Sequence, residues 1–130
     1  MSVIRFGSDT RWEAVVGYSR VVVHGDMAWV SGTTATVDGA VVHPGDAGAQ
    51  TRQALALVGE ALERAGFALA DVVRTRLFVT DISRWEEVGR AHGEVFGEIR
   101  PATAMVQVAA LIDPAMLVEI EADAVRGTSA

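Results

Sequence analysis

Two segments of helical period stand in this 130-residue chain among a longer series of strand period. Two helices can cover one face of a sheet, so the other face must find different cover. The first helical stripe is Ala54, Leu55, Val58, Ala61, Leu62 and Ala65. Asp46 is a good N-cap ahead of it, and Gly66 ends it. The second stripe is Trp85, Val88, His92, Val95 and Phe96. Ser83-Arg84-Trp85-Glu86 reads as its capping box, and Arg100-Pro101 marks its end, because a residue before proline disfavours helix.

The strands are read from alternation and turn residues. Met1–Ser8 reads as a short edge strand and 11–17 as loop. Tyr18–His24 and Met27–Ser31 form a hairpin around Gly25-Asp26, and Asp38-Gly39 is the turn of a second hairpin. Val72–Thr80 reads as a strand with Val73, Thr75, Leu77 and Val79 on one face and Arg74, Arg76 and Phe78 on the other. Thr103–Ala109 and Leu117–Val125 complete the set. In the last strand Glu119, Glu121 and Asp123 share one face, while Val118, Ile120, Ala122 and Ala124 share the other. The expected architecture is a single α+β domain over residues 1–130, a mixed sheet with two helices on one face. Its uncovered face carries apolar side chains, which predicts an oligomer.

Composition narrows the chemistry. All 11 basic residues counted as Lys+Arg are arginine, and there is no cysteine. A chain without lysine forms no Schiff base and has no P-loop, and one without cysteine has no thiol nucleophile and no thiolate metal site. Cofactors are not expected. The three histidines form no metal motif; His92 lies in a core stripe, while His24 and His43 sit by turns. Gly7-Ser8-Asp9 and Ser31-Gly32-Thr33-Thr34 lack the G-x-S-x-G pattern of a serine hydrolase. A formal net charge of −6 argues against a nucleic-acid partner, and Arg74-Thr75-Arg76 reads as an ion-paired surface. No run approaches the length of a membrane span, and Met1–Phe6 is too short and polar for a signal peptide, so a cytoplasmic setting is expected.

Several blocks, taken in order, resemble one family. Gly17-Tyr18-Ser19-Arg20 with Val30-Ser31-Gly32 resembles the first hairpin of the RidA/YjgF family, also called the L-PSP endoribonuclease family. Ala49-Gln50-Thr51-Arg52-Gln53-Ala54-Leu55 resembles its first helix, and the stretch from Asp71 to Asp81 its middle strand. Pro101-Ala102, Val106-Gln107-Val108-Ala109-Ala110-Leu111 and Leu117-Val118-Glu119-Ile120-Glu121-Ala122 resemble its C-terminal signature. The resemblance implies a fold similar to bacillus chorismate mutase and a homotrimer with small-molecule clefts between subunits. It also implies hydrolysis of imines and enamines, such as 2-aminoacrylate, to a keto acid and ammonia.

On that resemblance Tyr18 and Glu119 are the catalytic candidates, and Ser31 and Gly32 bind the ligand. The family's Pro-Ala-Arg motif is Pro101-Ala102-Thr103 here, so Thr103 stands where an arginine would clamp the substrate carboxylate. Arg20, two residues from Tyr18 on the same strand face, is the expected replacement for that charge. Two rivals to the hydrolase are a metabolite-binding trimer of the same fold and, third, a ribonuclease.

Overall fold

The computed structural model describes residues 2–8 and 10–127; Met1, Asp9 and the last three residues lie outside the described residues. The elements run β1 (Val3–Phe6), β2 (Val21–His24), β3 (Met27–Thr33), β4 (Thr36–Val37), β5 (Ala40–Val41), α1 (Ala47–Arg64), β6 (Val72–Val79), α2 (Trp85–Phe96), β7 (Ala102–Gln107) and β8 (Val118–Val125). One six-stranded sheet has the order β1-β2-β3-β8-β6-β7, and β4 and β5 form a separate two-stranded hairpin. The β6–β7 pair is parallel, with α2 as its crossover, and the other pairs of the large sheet are antiparallel. Asp38 and Gly39 both have positive φ (51° and 81°), the type I′ geometry that suits a two-residue hairpin.

Alternation puts the core on the helix side. Val21, Val23, Ala28, Val30, Leu77, Val79, Val118, Ile120, Ala122 and Ala124 are buried against Ala54, Leu55, Val58, Ala61 and Leu62 of α1 and Val88 and Phe96 of α2. The opposite face stays open. Trp29, Met27 and Val106 are exposed there or at its edges. Arg76 sits on that face between Asp123 (3.2 Å) and Glu121 (3.6 Å), the ion pairing expected of it. Among the described residues no helix is long and apolar enough to cross a membrane.

Four local expectations are corrected. Residues 11–17 are helical, ending in a π-turn over Glu13–Gly17, and are not loop. Thr10-Arg11-Trp12-Glu13 has the hydroxyl-x-x-Glu spacing of a capping box, but the contact made is side chain to side chain, the Thr10 hydroxyl donating to the Glu13 carboxylate (2.9 Å). In β6 a register shift between Val72 and Arg74 buries Val72 and turns Val73 to solvent, while Thr75, Leu77 and Val79 stay inward. Asp81, not Ser83, caps the entry to α2: its carboxylate accepts from Ser83 N at 3.0 Å and Ser83 Oγ at 2.6 Å, and a single 3₁₀ turn follows. That turn rotates Trp85 off the inner stripe, leaving it 57% exposed, and Ala91 takes the core position instead.

Candidate active site

The site grows from one irregularity in the sheet. Between Val30 and Thr33 the β3–β8 register shifts by one residue, so Ser31 and Gly32 form a bulge opposite Glu121. A bulge turns carbonyls out of the ladder, and buried carbonyls need donors. Arg20 supplies them. Its Nη1 donates to Gly32 O (2.8 Å), Ser31 O (3.3 Å) and Thr33 Oγ1 (2.9 Å), and its Nη2 reaches Tyr18 Oη at 3.4 Å. The guanidinium is 9% exposed as part of its residue, and Glu13 lies 4.0 Å from its Nε as counter-charge. Ser31 Oγ donates to Ser19 O at 2.5 Å, tying the bulge back to the chain entering β2.

Glu119 reaches the bulge from β8. A Cβ placed on Gly32 would lie 2.8 Å from Glu119 Oε2, so the glycine leaves the room the carboxyl occupies. Burial pushes the Glu119 pKa up and the charge of Glu121 adds to this, outweighing the opposing pull of Arg20. Glu13 shows the opposite outcome. Burial pushes its pKa up, but hydrogen bonds from the Ser8 hydroxyl and amide and from Thr10, with the charge of Arg20, bring it below the ordinary carboxylate range.

These groups open into a cleft of about 1530 Å³. Tyr18, Arg20, Ser31, Gly32 and Glu119 all line it, so five of the six residues chosen from the sequence converge. Trp12, Val16 and Ile112 add apolar walls, and Arg11 and Arg64 bring further positive charge. Arg11 stacks on Trp12 at 4.2 Å, and Arg64 donates to Gly7 O at 3.1 Å. Arg100 turns instead to Gly97 O (3.0 Å) at the end of α2.

Thr103 does not line this cleft within one chain. It lies on β7, the sheet edge, directly across from Thr75. Its hydroxyl is 2.9 Å from Thr75 Oγ1, which is 2.8 Å from His92 Nε2. His92 is thus a packed histidine, as its place in the stripe suggested, with its ring tilted on Phe96 at 4.7 Å and its pKa lowered by burial. Arg20 departs from its expected part. Its Nη1 is committed to the bulge acceptors and its Nη2 reaches Tyr18 Oη, so Arg20 builds the bulge and adds one positive charge to a cleft also lined by Asp38, Glu60, Asp113, Glu119 and Glu121. Glu13 was missed because its partners come from both ends of a segment read as loop; the Thr10–Glu13 capping pattern was the available signal.

The comparisons with known proteins agree with one another. The family model described as Endoribonuclease L-PSP matches residues 8–126. An uncharacterized protein of Streptomyces coelicolor is 36% identical over 126 residues, covering 97% of this chain and 94% of that protein. The 3-aminoacrylate deaminase RutC of Acinetobacter baylyi is 41% identical over 80 residues, 62% of this chain and 63% of that protein. A crystal structure from Mycobacterium tuberculosis, a member of the YjgF/YER057c/UK114 family, is similar with a TM-score of 0.87 and 53% identity, covering 95% of this chain and 99% of that one. On the match over nearly its whole length and the shared fold, this chain belongs to the YjgF, or Endoribonuclease L-PSP, family.

Proposed function

We propose that the protein hydrolyses imines and enamines derived from amino acids, of the 2-aminoacrylate type, to a keto acid and ammonia. The observation that carries this reading is the Glu119 carboxyl, its proton affinity raised, held over Gly32 in the cleft that Tyr18 also lines. A carboxyl that holds its proton more tightly than usual is better suited both to orient water and to pass a proton on. Water adds to the imine carbon as Glu119 takes one of its protons and passes it to nitrogen, which gives the neutral carbinolamine. The C–N bond then breaks as the remaining hydroxyl proton moves through Glu119 to nitrogen, so water oxygen becomes the keto oxygen and nitrogen leaves as ammonia. Tyr18 and Ser31 orient the substrate, and Arg20 favours an anionic one. The deaminase name of the Acinetobacter relative lends support at the level of reaction class.

The reading includes a homotrimer, with Thr103 on the β7 edge of one subunit meeting the Tyr18–Glu119 cleft of the next, acting in the cytoplasm without a cofactor. The open apolar sheet face and the exposure of Ala102, Thr103 and Ala104 support this packing. The second reading, a metabolite-binding trimer, draws on Thr103: without the arginine the carboxylate clamp loses one charge-assisted pair, about 1.5–3 kcal/mol. Ribonuclease activity ranks third, since among the described residues no histidine lines the cleft and the net charge is −6.

The test generates 2-aminoacrylate enzymatically and follows its decay with and without the protein. Acceleration that is lost in Glu119→Gln supports the hydrolase. No acceleration across several amino-acid-derived imines favours the binding reading, and sedimentation of a monomer removes the shared cleft.

A further inference from the structure

Behind Thr103 lies a hydrogen-bond chain that the reaction above does not use. Thr103 Oγ1 at the exposed sheet edge contacts Thr75 Oγ1 (2.9 Å), and Thr75 Oγ1, fully buried, contacts His92 Nε2 (2.8 Å). Thr103 Oγ1 also lies 3.2 Å from Pro101 O. Each hydroxyl has one proton to give, so the direction of the chain is set at its inner end. When the neutral ring keeps its proton on Nδ1, Nε2 accepts: Thr75 donates to His92, Thr103 donates to Thr75, and Thr103 turns its lone pairs outward. When the ring takes up a second proton, on Nε2, His92 donates to Thr75 and Thr75 to Thr103. The Thr103 proton is then free to point at Pro101 O or outward to a ligand oxygen.

We infer that His92, acting through Thr75, is the positioning residue that makes Thr103 a carboxylate-binding donor, so that keto-acid or imine carboxylate binding and a proton on His92 Nε2 favour each other. The inference deepens the proposed function and rests on its placement of Thr103 at the ligand's carboxylate. It gives the site a titratable positive charge one residue pair behind the position from which a fixed one is missing.

The surroundings leave His92 as the group that titrates. Burial alone accounts for its lowered pKa. On α1, Arg52 is paired with Glu94 of α2 at 2.9 Å, and Arg90 of α2 is paired with Glu86 at 2.7 Å. On β6, Arg74 and Arg76 flank Thr75 and so fall on the opposite sheet face, where Arg76 pairs with Asp123. The strand β7, Ala102–Gln107, has no charged residue.

The experiment uses the full chain, uniformly ¹⁵N-labelled. Long-range ¹H–¹⁵N spectra resolve the ring nitrogens of its three histidines, and 2-oxobutyrate is the probe. The expected result is that 2-oxobutyrate moves the His92 titration to higher pH and shifts Nε2 toward the protonated form. Affinity for the probe then rises about threefold or more as pH falls through the His92 titration, which burial places below the ordinary histidine range. Thr75→Val breaks the chain while keeping shape; in it the His92 response disappears and the pH dependence of affinity flattens. Thr103→Val, at the exposed edge, removes the same link should the buried substitution fail to fold. A Gly32 amide that responds to the probe while His92 does not overturns this inference and leaves the proposed function standing. No response at Gly32 or His92 overturns both.

Discussion

Glu119 Oε2 lies where Gly32 has no side chain: a Cβ on Gly32 would stand 2.8 Å from that oxygen. The close approach separates stability from function. Gly32 does not have a left-handed backbone, so alanine is conformationally acceptable there. It would strike the Glu119 carboxyl, with Cδ at 2.9 Å, and press on Cγ at 3.2 Å, so the whole flexible side chain must turn away. Gly32→Ala is therefore expected to cost little stability, below about 1 kcal/mol by thermal melting, because Glu119 swings aside. Imine hydrolysis should fall about a hundredfold or more, since a displaced acid–base group loses its reach to the reacting atoms.

Glu119→Gln tests the raised proton affinity directly. A group with a raised folded-state pKa contributes stability while protonated, below the unfolded value, and that contribution is lost as pH rises through the folded value. Burial and Glu121 make the Glu119 carboxylate unfavourable, so glutamine, neutral at every pH, should melt higher than wild type at neutral and alkaline pH. The difference should vanish toward acid pH, where wild type is protonated too. A variant melting lower than wild type at pH above neutrality would contradict the burial argument.

Arg20→Lys keeps the charge and removes the fork. Lysine ends one bond short of the Nη1 that serves Ser31 O, Gly32 O and Thr33 Oγ1, and it lacks the second nitrogen that reaches Tyr18 Oη. The loss should be about 1–3 kcal/mol in denaturant unfolding, the cost of leaving a bulge carbonyl without its donor. A thermal and chemical stability equal to wild type would mean that the bulge holds itself.

Glu13 gives the acid limb of the stability profile. Its pKa is lowered on folding, so it contributes stability above the ordinary carboxylate range, and this is lost as pH falls through its folded value. Glu13→Gln should destabilise at neutral pH and converge with wild type in acid, read as melting temperature against pH. Because Glu13 also faces Arg20, the double variant with Arg20→Lys should be less destabilised than the sum of the two.

Much of the fold was legible because period and punctuation are local properties. The β8 alternation, the α1 stripe and the Asp38-Gly39 turn each survive into the structure, since every residue's burial follows from which face it lies on. The errors fall where the register breaks. Val73 is exposed and Trp85 leaves the core because one bulge and one 3₁₀ turn each change the phase of the residues around them. Neither leaves a composition signal.

The candidate site divides in the same way. Tyr18, Ser31, Gly32 and Glu119 were chosen from the resemblance of their segments, and strand pairing brings them to one cleft. The part Arg20 takes was not readable. Its spacing from Tyr18 fixed its face, but the bulge carbonyls that capture its guanidinium belong to the next strand. Thr75, the partner of Thr103, lies 28 residues away on β6 and in turn meets His92 of α2, joined by parallel pairing that no local pattern records.

The sequence by itself determined the α+β class, the helix-covered and open sheet faces, and an acid-rich, lysine-free, cysteine-free chain without Schiff-base or thiol chemistry. Only the tertiary structure decided which groups carry unusual protons: burial and neighbouring charge raised Glu119, local hydrogen bonds lowered Glu13, and a buried hydroxyl linked His92 to Thr103. The reason is physical. Period follows from the backbone geometry of a few consecutive residues, whereas a pKa and a hydrogen-bond direction depend on atoms that distant strands bring within a few ångströms.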